Sequence, residues 1–164
     1  TRRQRQMCIR DSLDSILDYI PPSHRCELVW ESNGVQFIND SKATNLHAVA
    51  SALNSFKDEK IILIAGGKNK GIPYSEIKKI VKRNVSSVVL FGENKFQVEE
   101  EWKSETDCHL SNDIDEAVEL ALKLVGNSGV VLFSPGTSSF DMFNGYEERG
   151  NAFKNSVMKY SPKK

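Results

Sequence analysis

The parts of this chain best equipped for chemistry are short polar runs, each placed just after an apolar stretch. In Asn39-Asp40-Ser41-Lys42-Ala43-Thr44-Asn45, an acid and a cation flank one serine. Asp40 could accept a hydrogen bond from a ribose hydroxyl while Lys42 neutralises a phosphoryl group; equally, Asp40 or Ser41 could do no more than cap the coming helix. Gly66-Gly67-Lys68-Asn69-Lys70-Gly71 joins exposed backbone N–H groups to two ammonium groups. That suits a carboxylate or phosphate, and it also suits a tight turn with solvated lysines. Ser134-Pro135-Gly136-Thr137-Ser138-Ser139 collects hydroxyls and backbone donors ahead of an expected helix, as an anion site or as a capped helix start with Asp141 in its first turn. In His24-Arg25 the guanidinium is either a bidentate phosphate clamp or a solvated surface group. His47 and His109 read as packing or surface residues. The Gly-x-x-x-x-Gly-Lys-Ser/Thr spacing of a phosphate loop occurs nowhere in the chain.

These runs need a scaffold that aims them at one place, and the hydrophobic pattern supplies one. Leu13, Ile16, Leu17 and Ile20 mark one face of a helix that Pro21 and Pro22 end. Cys26 to Glu31 and Val35 to Ile38 are short strand-like runs with Ser32-Asn33-Gly34 between them, the signal of an antiparallel hairpin. A helix is expected through Leu46, Val49, Ala50 and Leu53, then a strand buried on both faces at Ile61 to Ala65. The alternation continues with a helix from Ser75 to about Arg83, a strand at Val88 to Phe91, a helix from Lys95 to Trp102 and a weak strand at Cys108 to Leu110. Asp113 to Val125 is a long helix with Ser111 or Asn112 as its cap, Val130 to Phe133 is the last strand, and a terminal helix runs from about Tyr146 to Met158. Strands alternating with helices predict an α/β fold: a Rossmann-like, mostly parallel, doubly wound sheet of about six strands with an antiparallel edge. In such a sheet ligands bind beyond the carboxyl ends of the strands, where the loops at 39–45, 66–71, 92–95 and 134–146 fall.

With 164 residues, 39% hydrophobic and 27% charged, the chain suits one globular core. No run approaches the roughly 20 apolar residues of a membrane span, so no membrane role is expected, and a cytoplasmic location is. Cys8, Cys26 and Cys108 are odd in number and widely spaced, which predicts reduced thiols, with neither a disulfide framework nor a metal site. Arg2, Arg3, Arg5 and Arg10 crowd the first residues, where Met7 to Ser12 resembles translated sequencing adaptor. Residues 1–12 are therefore read as non-native, 13–22 as the end of a preceding domain or linker, and 23–164 as the domain proper. Without the first segment the net charge falls from zero to about −3, which argues against a nucleic-acid partner.

Taken in order, His24-Arg25, the Asn39–Asn45 string, Leu63 to Lys70, Ser134-Pro135, Ser138 to Phe143 and Glu148-Arg149-Gly150-Asn151 resemble the C-terminal domain of the Mur ligases, and within that family the D-glutamate-adding branch. The likeness runs from Ser23 to the end. The Asn-Asp-Ser-Lys-Ala-Thr-Asn string is its most specific part, since sister ligases and folylpolyglutamate synthases typically carry a His near the Lys42 position. Gly136-Thr137 departs from the family's usual Ala-Cys, and Lys68-Asn69 from its frequent Asp-Gly.

The resemblance implies an ATP-driven amide ligation in peptidoglycan synthesis. The alanyl carboxylate of UDP-N-acetylmuramoyl-L-alanine is phosphorylated by ATP, and the amine of D-glutamate attacks the acyl phosphate. ATP and Mg2+ would be held mainly by a central domain outside this chain, with the nucleotide-linked precursor also bound there, so the fragment alone would be inactive. Arg25 and Asp40 would meet the nucleotide, and Lys42 the phosphoryl group in transfer. Thr44, Lys70 and Ser139 would bind the carboxylates of D-glutamate, Phe140 and Tyr146 would line its pocket, and His24 would lie near the reacting centre. The alternatives are a free-standing nucleotide- or amino-acid-binding module and another Mur-type amide ligase of the folylpolyglutamate synthase kind. A methyltransferase lacks its Gly-x-Gly-x-Gly loop here, and a receiver domain its acidic pair.

Overall fold

A computed structural model describes residues 22–160. The helix expected at Leu13 to Ile20 and the adaptor-like segment lie outside them. Six strands form one sheet: β1 (Glu27–Ser32), β2 (Val35–Asn39), β3 (Ile61–Gly66), β4 (Val85–Phe91), β5 (Asp107–Leu110) and β6 (Gly129–Phe133), in the order β1-β2-β6-β3-β4-β5. Only the β1–β2 pair is antiparallel. Asn33 and Gly34 both take positive φ in the turn between them, which matches the twist of the two strands.

Among the described residues five helices cover the sheet: α1 (Leu46–Ser55), α2 (Lys78–Asn84), α3 (Lys95–Trp102), α4 (Ile114–Val125) and α5 (Tyr146–Tyr160). The side-chain alternation of β3 sends Ile61, Leu63 and Ala65 to the face covered by α1, α2 and α3, while Ile62 and Ile64 meet α4 and α5. Both faces are thereby buried, which is why β3 and β6 read as unbroken apolar runs. The second core is anchored by a stack of Phe133 on Phe153 at 4.4 Å between ring centroids.

Local details depart from expectation in three places. The helix expected from Ser75 opens as a 3-10 turn, Tyr74–Ile77, before α2, and β4 follows α2 directly, beginning at Val85 and not Val88. The cap of α4 is Asp113, whose carboxylate accepts the Glu116 N–H at 2.8 Å, and neither Ser111 nor Asn112. Asn112 instead donates its backbone N–H to Glu116 at 2.7 Å, so the capping partners sit one or two residues later than the spacing suggested. No helix starts after Ser134–Ser139: the chain stays irregular until Tyr146, the Thr137 hydroxyl donates to the Lys68 carbonyl, and Asp141 accepts the Glu93 N–H.

Candidate functional site

Strand order decides which loops meet. Strands β2, β6 and β3 are parallel neighbours, so the loops carrying Lys42, Ser139 and Lys70 emerge side by side at one edge of the sheet. Backbone bonds knit them together. Gly66 N–H donates to the Pro135 carbonyl at 3.0 Å, Lys68 N–H to the Ser138 carbonyl at 3.0 Å, and Gly136 N–H to the Ala43 carbonyl at 2.9 Å. The loop after β4 joins them because Gly92 packs against Gly67: a Cβ on Gly92 would stand 2.6 Å from the Gly67 Cα, at a backbone φ of 79° that disfavours side chains anyway.

Beside β2, Arg25, Asp40 and Lys42 line one cleft of about 250 Å³ together with the Ala48–Ser55 side of α1. Asp40 forms its floor. The Ser134 hydroxyl donates to one of its oxygens at 2.9 Å and the Cys26 N–H to the other at 3.3 Å. Burial nevertheless pushes its carboxyl above the usual range, against the pull of those bonds and of Arg25. Neither Asp40 nor Ser41 caps α1; Asn45 does, accepting the Ala48 N–H at 2.9 Å. Arg25 is exposed on the rim, and the Lys42 ammonium lies 3.9 Å from the centroid of the Tyr146 ring.

His24 is buried behind this cleft with a backbone φ of 64°, and Cys26 is at 44°. Such positions are strained for residues with a side chain. Here the surroundings over-determine them: the His24 carbonyl accepts the Lys42 N–H, and its N–H donates to Glu27 at 3.0 Å. The Tyr146 ring meets the imidazole edge-on at 6.1 Å. Burial holds the His24 pKa below its ordinary value, although Glu27 and Glu147 oppose it.

The remaining expected residues are divided between two places. Tyr146 stands with His24 and Lys42, whereas Phe140, 69% exposed, lines a second depression of about 460 Å³ with Lys68, Glu93, Asp141 and Met142. Lys68 is paired there with Glu93 at 2.7 Å, which leaves Lys70, exposed and with no salt bridge among the described residues, as the unengaged cation of its loop. Thr44 is half-buried at the start of α1, and Ser139 is buried with its carbonyl accepting the Met142 and Phe143 N–H groups. His47 is exposed and His109 half-buried.

Sequence reasoning missed Arg149. Its guanidinium is wholly buried, donating to the Ser41 hydroxyl (3.1 Å), the Ser41 carbonyl (2.8 Å) and the Thr137 carbonyl (2.9 Å). Desolvation lowers its pKa to about 10, so it remains charged at neutral pH. It thus binds the Lys42 loop to the Ser139 loop. The available signal was its place at the helical interval of Phe153 and Val157, on the apolar stripe of α5. Asn39 and Asn94 were missed too. The Asn94 side chain accepts the Gly67 N–H at 2.9 Å and donates to the Tyr74 hydroxyl.

An α/β sheet with cationic and hydroxyl-rich loops gathered at one carboxyl edge is the architecture of a Mur ligase glutamate ligase domain, and the family model of that domain matches residues 24–136. The chain belongs to the Mur ligase family. It is 45% identical to the UDP-N-acetylmuramoylalanine–D-glutamate ligase of Aquifex aeolicus over 134 residues, covering 82% of this chain and 32% of that enzyme. Against the ligase of the same name from Citrifermentans bemidjiense the identity is 50%, over 82% of this chain and 29% of the relative. The chain therefore spans about a third of the length of these relatives. Among solved structures, MurF from Acinetobacter baumannii superposes with a TM-score of 0.58 at 13% identity, over 84% of this chain and 32% of that one. A Mycobacterium tuberculosis folylpolyglutamate synthase complexed with ADP gives 0.57 at 12%, over 88% and 34%. At that identity the likeness is one of fold.

Proposed function

We propose that this chain is the domain that receives D-glutamate in an ATP-dependent ligase joining it to UDP-N-acetylmuramoyl-L-alanine, in the cytoplasm, as a step of peptidoglycan synthesis. The observation that carries the reading is the meeting of Arg25, Asp40 and Lys42 in one cleft, with the loops of Ser139 and Lys70 rising from the two next strands. The donor set suits the edge of a nucleotide: a guanidinium for phosphate, a buried carboxylate for ribose hydroxyls, and an ammonium for the phosphoryl group in transfer. A cleft of about 250 Å³ is too small for the whole nucleotide, in keeping with a domain that closes over one held elsewhere.

D-glutamate brings two carboxylates, which need fixed donors and a cation. Thr44, Ser139 and the unengaged Lys70 would supply them, with Phe140 and Tyr146 as apolar walls. ATP and Mg2+ would be held mainly by the domains outside this chain. His24 stands beside Tyr146, and in this reading it would lie near the reacting centre.

The test is to join this chain to its own preceding domains and follow ADP release. Release should require both D-glutamate and the nucleotide-linked precursor, and Lys42→Ala should reduce it by at least about 10²-fold, the scale expected for one preorganised charge at a transition state. Undiminished turnover in that variant would remove the assignment.

A further inference from the structure

Asn39, the last residue of β2, is wholly buried, and the orientation of its amide is decided by partners that have no choice of role. Its Oδ1 accepts the Ser41 backbone N–H at 3.1 Å, a group that can only donate. Its Nδ2 lies 3.3 Å from the Gly150 carbonyl, which can only accept. The same Nδ2 is 2.9 Å from Nδ1 of His24. An amide nitrogen has no lone pair to offer, so Nδ1 must accept, and the neutral ring carries its proton on Nε2.

We infer that Asn39 is a positioning residue that holds His24 as the neutral Nε2–H tautomer, so that His24 serves the ligation as a hydrogen-bond donor to an anionic oxygen and not as a base. The donor role rests on the proposed reaction; the tautomer does not. The ring has little room to do otherwise. Gly150 packs on its Nδ1 edge so closely that a Cβ there would overlap Nδ1, Cε1 and Cγ. Rotating the imidazole by half a turn would set a C–H against the Asn39 amide and lose the bond. The charges around it come from two elements: Glu27 on β1, and Glu147 and Lys154 on α5. Glu27 is already matched by Lys154 at 2.6 Å, so its pull on a second proton is weakened. Nε2 makes no hydrogen bond to any described residue and is the edge left for a ligand. Tyr146, which meets the ring, also carries the Lys42 ammonium, so donor and cation share one aromatic neighbour.

The measurement is a long-range 1H–15N correlation spectrum of the full-length ligase containing this domain, labelled at histidine nitrogen, with His24 assigned by its loss in His24→Gln. At pH 8 the His24 Nδ1 should appear as a pyridine-type nitrogen and Nε2 as a pyrrole-type one, and any titration of the ring should have its midpoint below the ordinary histidine value. A protonated Nδ1, or a ring that averages both tautomers and titrates at an ordinary histidine midpoint, overturns the inference whether or not the enzyme is a D-glutamate ligase. Asn39→Asp places an obligate acceptor at the same spot. It should move the proton to Nδ1 and lower kcat/KM at pH 8 about tenfold, with the loss shrinking as pH falls and the imidazolium again carries a proton on Nε2. A moved proton with undiminished kcat/KM would overturn the donor role. The wild-type tautomer is read without Asn39→Asp, so failure of that variant to fold leaves the test standing.

Discussion

Both oxygens of the Asp40 carboxyl are occupied, one by the Ser134 hydroxyl and one by the Cys26 N–H, and still burial raises its pKa. The sign of the consequence follows from linkage. A carboxyl with a raised pKa binds its proton more tightly in the folded chain, so it favours folding below the unfolded value and loses that contribution as pH rises through the folded one. At neutral pH the ionised Asp40 is therefore a burden on the fold. Asp40→Asn can accept from Cys26 with its oxygen and donate to Ser134 with its nitrogen. Urea titration should find the variant at least as stable as the parent at pH 7, with the difference shrinking toward pH 4, while the KM for ATP of the complete ligase rises. A variant less stable at pH 7 would contradict the sign. Arg149 makes a different kind of contribution: a cation with no carboxylate within salt-bridge distance among the described residues, retained because its fork satisfies acceptors on two loops at once.

At the scale of elements, α5 links the core to the cleft. Its stripe buries Phe153 and Val157 under the sheet, and one turn earlier the same stripe presents Arg149 and Gly150 to the loops. Glycine inside a helix usually costs about 1 kcal/mol relative to alanine, and propensity alone predicts that Gly150→Ala stabilises the domain. The packing says otherwise, because the new methyl would overlap the His24 ring, which is itself pinned by Asn39 and by its own backbone bonds. Overpacking of this kind costs about 1–3 kcal/mol, enough to outweigh the propensity gain. Gly150→Ala should lower the urea midpoint and displace His24 in the histidine spectrum; a gain in stability would mean that the ring moves aside freely.

For the whole molecule, the open question is what a domain of about a third of the relatives' length can do by itself. Its cleft offers a carboxylate and two cations, but the chain has no phosphate loop, and its described residues hold no metal-binding cluster. A clean preparation of the 164-residue chain should hydrolyse no ATP above the buffer rate, as followed by phosphate release, and should gain turnover only when joined to the preceding domains. Measurable hydrolysis by the chain alone would show that the cleft is a complete nucleotide site. Phe140 and Met142 are exposed beside the Lys68–Glu93 pair.

Much of the architecture was legible from short-range pattern: the 3.6-residue spacing of α1 and α4, the unbroken apolar runs of β3 and β6, and Asn33-Gly34 between two alternating strands report local geometry that each segment settles with its near neighbours. Composition and motif likewise pointed to the loops after β2, β3 and β6 and to the family. Only the tertiary structure decided that β6 inserts between β2 and β3, and with it that Ser134 reaches Asp40 across 94 positions, that Arg149 ties together two loops remote in sequence, and that an amide on β2 sets the proton on a histidine ahead of β1. Those outcomes depend on which side chains remain unpaired once every strand has its neighbours. Hydrogen-bond satisfaction in a buried site is a property of the closed contact network, and no window of sequence contains it.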